Sequence, residues 1–127
     1  MTEITRTNVG DQLILAIGQQ LEANRKLCEQ TPAWETWTVR EEFRENTSEG
    51  YVRWEPSVWL ELTKTQQNYV STAIKALAES GVVDTVMHTP PRIYWVRLAD
   101  TGMNRLKELD RKLARRLSRP MTYPGGQ

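Results

Sequence analysis

The sequence predicts a mainly α-helical domain that carries a small β-hairpin. Three observations carry that prediction. Apolar residues recur at helical spacing around residues 9–28, 64–80 and 103–117. Between the last two stretches lies a run rich in β-branched residues, interrupted by a Pro-Pro turn. The length of 127 residues and the 39% apolar content suit one domain that buries a single core without disulfides or metals.

Residues 1 to 8 are polar and are expected to be a flexible N-terminus. The domain itself is expected over 9–119. Val9, Leu13, Ile14, Ile17, Leu21 and Cys28 fall on one face of a first helix, with Asn8 as its N-cap. Gly18 weakens this helix without ending it. Thr31-Pro32 marks a break and a restart. Thr38 and Glu41 have capping-box spacing, so Val39 to Glu45 reads as a second helix.

Asn46 to Gly50 is a polar turn, and Tyr51 to Trp54 alternates weakly as one short strand. Pro56 opens a short helix through Val58, Trp59 and Leu62. Thr63 and Gln66 repeat the capping-box spacing and open the clearest helix, from Lys64 or Thr65 to Ser80. Its apolar face is Val70, Ala73, Ile74 and Leu77, and Gly81 is its expected left-handed cap.

Val82 to His88 and Ile93 to Leu98 read as the two strands of a hairpin joined by Thr89-Pro90-Pro91-Arg92. Strict alternation puts Tyr94, Val96 and Leu98 on one face and Ile93, Trp95 and Arg97 on the other. Asp100, Thr101 and Gly102 lead into a last helix from Met103 to about Leu117, with Met103, Leu106, Leu109, Leu113 and Leu117 as its stripe. Two prolines and a Gly pair make residues 120–127 an expected disordered tail.

Composition excludes several classes. No apolar run is long enough to span a bilayer, and Met1 to Val9 lacks a signal-peptide pattern, so a cytoplasmic protein is expected. Cys28 is alone and reads as a small buried hydrophobe. With His88 as the other Cys or His, no zinc site is expected, and no cofactor. Neither a phosphate-cradling glycine loop nor a nucleophile elbow occurs, so an enzyme is not expected. Glu41 and Glu42 are neighbours that point to different sides of a helix and read as solvated face and cap. The five tryptophans, Trp34, Trp37, Trp54, Trp59 and Trp95, read as core or interface anchors before they read as a small-molecule pocket. No effector is expected.

Charge is uneven. Residues 1–62 hold eleven acidic and six basic side chains, and residues 63–127 hold five acidic and eleven basic, which are balances of −5 and +6. A basic half beside an acidic half points to a polyanion surface on the second half.

The order of elements carries the functional expectation. Val58-Trp59-Leu60-Glu61-Leu62, Thr63-Lys64-Thr65 and the helix from Gln66 to Ser80 look like a helix-turn-helix, and Gly81-Val82-Val83 looks like the start of a wing. Val70 to Val83 resembles the recognition helix and first wing strand of winged-helix transcription regulators. Tyr94-Trp95-Val96-Arg97-Leu98-Ala99-Asp100-Thr101-Gly102 resembles the second wing strand and following helix of the MarR and PadR-like families. The resemblance spans roughly residues 56 to 110 and implies a winged helix-turn-helix that binds double-stranded DNA as a homodimer.

The residues fit that expectation. Gln66, Gln67 and Asn68 stand where recognition helices meet base edges, and amides pair with adenine through two hydrogen bonds. Thr65, Ser71 and Thr72 offer hydroxyls, while Lys64 and Lys75 suit phosphates. Arg92 at the hairpin tip, with His88 beside it, is placed to reach the minor groove or the backbone. Leu106, Leu113 and Leu117 nearly fit a heptad that Asp110 interrupts. With Leu13 and Ile17 of the first helix they form the expected dimer interface. The Arg-rich side of the last helix then faces the DNA backbone or partner acids such as Glu22 and Glu29. Two alternatives stand beside a transcription regulator. One is a winged protein-interaction module, motivated by the acidic, Trp-rich segment 29–62. The other is a DNA-binding protein of plasmid or viral replication or partition.

Overall fold

The computed structural model of the chain describes residues 3–30, 41–89 and 92–118, the side chains of the last two residues excepted. Among them are five helices and a small antiparallel sheet: α1 (Val9–Gln30), α2 (Glu41–Ser48), β1 (Val52–Arg53), α3 (Pro56–Trp59), α4 (Lys64–Glu79), β2 (Val83–Thr89), β3 (Arg92–Leu98) and α5 (Asp100–Ser118). Trp34, Trp37, Thr38, the Pro-Pro turn, Arg119 and the expected tail lie outside the described residues.

Ile4 is 5% exposed and packs with Val9, Leu13 and Val70. Thr5 and Asn8 bond reciprocally: Asn8 Oδ1 accepts from the Thr5 amide at 2.7 Å, and Thr5 Oγ1 accepts from the Asn8 amide at 3.2 Å. This is capping-box geometry with Asn8 in the position usually held by Glu or Gln. The Asn8 side chain therefore faces back toward Thr5, and its amide donates to the Glu3 carbonyl. Residues 3–8 form an arm that packs through Ile4 beside Val9, Leu13 and Val70.

The expected start of α2 at Val39 lies outside the described residues; α2 runs through Ser48, beyond Glu45, so the polar turn shrinks to Glu49 and Gly50. α3 ends at Trp59, short of Leu62, because Leu60 turns extended. Leu60 and Leu62 instead pack beside Val70. α4 matches its expected span. Gly81 at φ +76° closes it, with the Val82 amide donating to Leu77 and the Gly81 amide to Ala78. That double bond pattern satisfies carbonyls that would otherwise be orphaned at the helix end.

The expected hairpin is part of a three-stranded sheet in the order β1-β3-β2. Val52 of β1 pairs with Val96 of β3, and neither retains any exposed surface. The ladder is irregular near the tip. Val86 pairs with Trp95 but Met87 pairs with Ile93, so Tyr94 is passed over. Met87 pairs with Ile93 but Thr89 pairs with Arg92, so His88 is passed over. One extra residue exchanges the two faces of a strand. Ile93 thus joins the core with Val96 and Leu98, which overturns the strict alternation expected for β3.

Two core clusters meet at Trp54 and Leu77. One gathers Ile17, Leu21, Val52, Ile74, Val83 and Val96, and the other gathers Ile4, Val9, Leu13 and Val70. Trp54 and Trp59 meet edge to face at 5.6 Å, as anchors of this core. Cys28 is half-buried, not fully buried. No helix among the described residues is long and apolar enough to cross a membrane.

Candidate nucleic-acid interface

α4 owes its placement to its two ends and its inner face. Thr63 Oγ1 accepts from the Gln66 amide at 3.2 Å, and Gln66 Oε1 accepts from the Thr63 amide at 2.8 Å. Burial of Val70 and Ile74 then pins one side of the helix inward. The opposite side presents Lys64, Thr65, Gln67, Asn68, Ser71, Thr72 and Lys75, all exposed. It carries no acid until Glu79.

Gln66 does not belong to that surface. Besides its cap bond, its Nε2 donates to the Ile4 carbonyl at 3.1 Å. One end of the amide ties the N-terminal arm to the helix start, and the other closes the cap on Thr63. These two bonds fix the orientation of the Gln66 amide and hold it half-buried, unlike the exposed Gln67 and Asn68. Gln66 thus has a structural role at the start of α4 that its expected place among the base-reading residues did not include.

The exposed face is a ridge between two clefts. The cleft on the hairpin side has a volume of about 530 Å³, and Gln67, Ser71 and Lys75 share it with Ser57 and Arg92. The cleft on the α1 side measures about 690 Å³, and Thr65, Asn68 and Thr72 share it with Arg6 and Thr7. The fold thus brings Arg92 beside three of the α4 side chains expected to act with it. Its guanidinium lies 5.7 Å from the Tyr94 ring, which stacks on His88 at 5.1 Å and 24°. The two residues passed over by the ladder are the two that stack. The sequence offered no signal for the register slip that makes this pair, and none for Ser57 or Arg6.

The basic residues of α5 divide by role. The Arg105 fork grips Asp11 of α1 through Nε–Oδ1 at 3.0 Å and a second nitrogen to Oδ2 at 2.8 Å, and it also pairs with Glu108. These hydrogen bonds, to Asp11 first, raise its pKa further and keep it charged. The Glu108 carboxyl is held below its ordinary range by its bond to Arg105 and then by Lys112. Arg97 is committed as well: its Nε donates to Asp84 at 2.9 Å, and its guanidinium lies 4.7 Å from the Tyr51 ring. That bond to Asp84 raises the Arg97 pKa. Lys107, Arg111, Arg115 and Arg116 remain exposed.

The expected dimer set does not hold together. Leu13 and Ile17 are 0% exposed inside their own chain, so they have no surface left for a partner. Helical periodicity marks an apolar face but not what covers it. Here that face is covered by the arm, α4 and the sheet. Leu106 is half-buried over Gly18 of α1, where an added Cβ would come within 2.7 Å of it. Among the members of the set whose side chains are described, Leu113 alone is exposed, at 44%. Leu117 lies in α5 with its side chain outside the described residues. No group of acidic, His and Cys side chains among the described residues is arranged to hold a metal.

Comparison with protein-family models, with curated proteins and with solved structures gives no significant match.

Proposed function

We propose that this chain is a sequence-specific, double-stranded-DNA-binding protein of the winged helix-turn-helix type, acting as a transcription regulator. The observation that carries this is the exposed, acid-free ridge of α4, with Gln67, Asn68, Ser71 and Thr72 between Lys64 and Lys75. A ridge of amides and hydroxyls offers donors and acceptors to base edges without repelling phosphate. In this reading α3 and α4 are the helix-turn-helix, and β2 and β3 are the wing. The order β1-β3-β2, with α3 and α4 ahead of the hairpin, supports it. So does Arg92, which shares a cleft with Gln67, Ser71 and Lys75.

Gln67 and Asn68 read bases. Lys64, Lys75 and Arg92 hold phosphates, as do the exposed Lys107, Arg111, Arg115 and Arg116 of α5. An anisotropy titration of random and genomic fragments at low salt tests the proposal. Binding tighter than that of a neutral control protein is expected. Replacing Gln67 and Asn68 by Ala should lower the ratio of specific to random affinity more than random affinity itself. Affinity no better than the control would end the proposal. Footprinting then assigns the bound sites to promoters or to a replication or partition locus.

A second reading rests on α2. Its Glu41, Glu42 and Glu45 are exposed and make no ion pair among the described residues. Such an exposed acidic helix suits a basic protein partner in a winged interaction module. A nuclease-resistant, stoichiometric protein partner in a pull-down, with no DNA affinity, would favour this over regulation.

A further inference from the structure

The N-terminal arm brings a cation to the face of α4 that lies away from the hairpin. Ile4 is buried and its carbonyl accepts from Gln66, so the arm is tied to the start of α4. The Thr5–Asn8 bonds close the arm into a turn. Arg6 stands exposed on that turn, its guanidinium 5.3 Å from the Tyr69 ring. A guanidinium over an aromatic face is held in place while its N–H groups stay free. Arg6 makes no ion pair among the described residues. It lines the same cleft as Thr65, Asn68 and Thr72.

We propose that Arg6 is a DNA phosphate-binding residue, the counterpart on the α1 side of Arg92 on the hairpin side. This rests on the DNA-binding reading of α4. The physical ground is the shape of the duplex. A helix in the major groove, about 12 Å wide, lies between two phosphate backbones. The α4 ridge lies between two clefts, with Arg92 lining one and Arg6 lining the other. A ridge flanked by a cation in each cleft matches a groove walled by two polyanionic strands. Phosphate contacts set register and carry no base information. Arg6 therefore fixes how α4 sits in the groove without choosing the sequence.

Salt-dependent affinity tests the assignment. The full chain and its Arg6→Gln, Arg6→Lys and Arg25→Gln variants are titrated with a bound genomic fragment and with random duplex across a salt series. Arg25 is exposed toward the far end of α1, so Arg25→Gln reproduces the charge change away from α4. Each phosphate contact contributes about 0.9 to the slope of log affinity against log salt. Arg6→Gln is expected to flatten the slope by about that amount and to weaken both DNAs by the same factor. Arg6→Lys should retain the slope, and Arg25→Gln should leave it unchanged. An Arg6→Gln slope equal to wild type would overturn the assignment, as would an equal loss in Arg25→Gln. Wild-type chain that binds neither DNA would remove the DNA-binding reading itself, a distinguishable result.

Discussion

A Cβ on Gly102 would be driven into the Val82 carbonyl oxygen and would lie 3.2 Å from Leu98 Cβ. The Val82 carbonyl already accepts from the Ala99 amide, so it is not free to move aside. Gly102→Ala is expected to cost roughly 1–3 kcal/mol through overpacking, read as a lower melting temperature with unchanged helix content. The adjacent glutamines give a second contrast at this scale. Gln66 caps α4 and ties down the arm, whereas Gln67 is exposed in the hairpin-side cleft. Gln66→Ala should lose about 1 kcal/mol of stability and little DNA specificity. Gln67→Ala should do the reverse. Thermal melts and competition binding on the two variants check the pair, and equal behaviour would remove the distinction.

At the scale of elements, the seam between α1 and α5 rests on Leu106 over Gly18 and on the Arg105–Asp11 fork. Both charged side chains are about one-third exposed, so solvent screens the pair. Asp11→Asn is expected to cost only about 0.5–1 kcal/mol in a denaturant titration. Glu108 adds a pH dependence. Its folded pKa lies below its ordinary value of 4.5, so its contribution is present above that value and disappears as pH falls through the folded pKa. The melting temperature should therefore decline on the acid side of about pH 4.5, and Glu108→Gln should shrink that decline. An identical acid limb in the variant would mean that the Arg105 and Lys112 contacts carry no weight.

On the scale of the whole molecule, the excess of positive charge in residues 63–127 divides between structure and surface. Arg97 and Arg105 are spent on Asp84 and Asp11. Lys107, Arg111, Arg115 and Arg116 stand on α5, whose residues 110–116 are all exposed. Leu113, at 44% exposure in that stretch, is the one described residue of the expected dimer set that offers exposed apolar surface to a second copy. Leu113→Glu is expected to shift a sedimentation profile toward monomer without lowering the monomer's stability. A wild-type chain that stays monomeric at high concentration would remove the dimer. Leu13→Ala, by contrast, should cost about 2–5 kcal/mol of folding stability, because it empties a fully buried site.

The sequence by itself determined the long helices, the hairpin and the ends of α4. Those features depend on local periodicity, a Thr63–Gln66 cap and a glycine at positive φ, all encoded within a few residues of one another. It also determined the exposed amide and hydroxyl face, since burying Val70 and Ile74 turns the other side of a helix outward. Tertiary structure alone decided what covers each apolar face. It assigned Leu13 and Ile17 to the protomer's own core, added β1 to the hairpin, and moved Ile93 inward through an unsignalled register slip. It also tied Gln66 to the Ile4 carbonyl and brought Arg6 to the cleft shared with Thr65 and Asn68. These outcomes depend on contacts between residues far apart in the chain, such as Ile4 with Gln66, which no local pattern records.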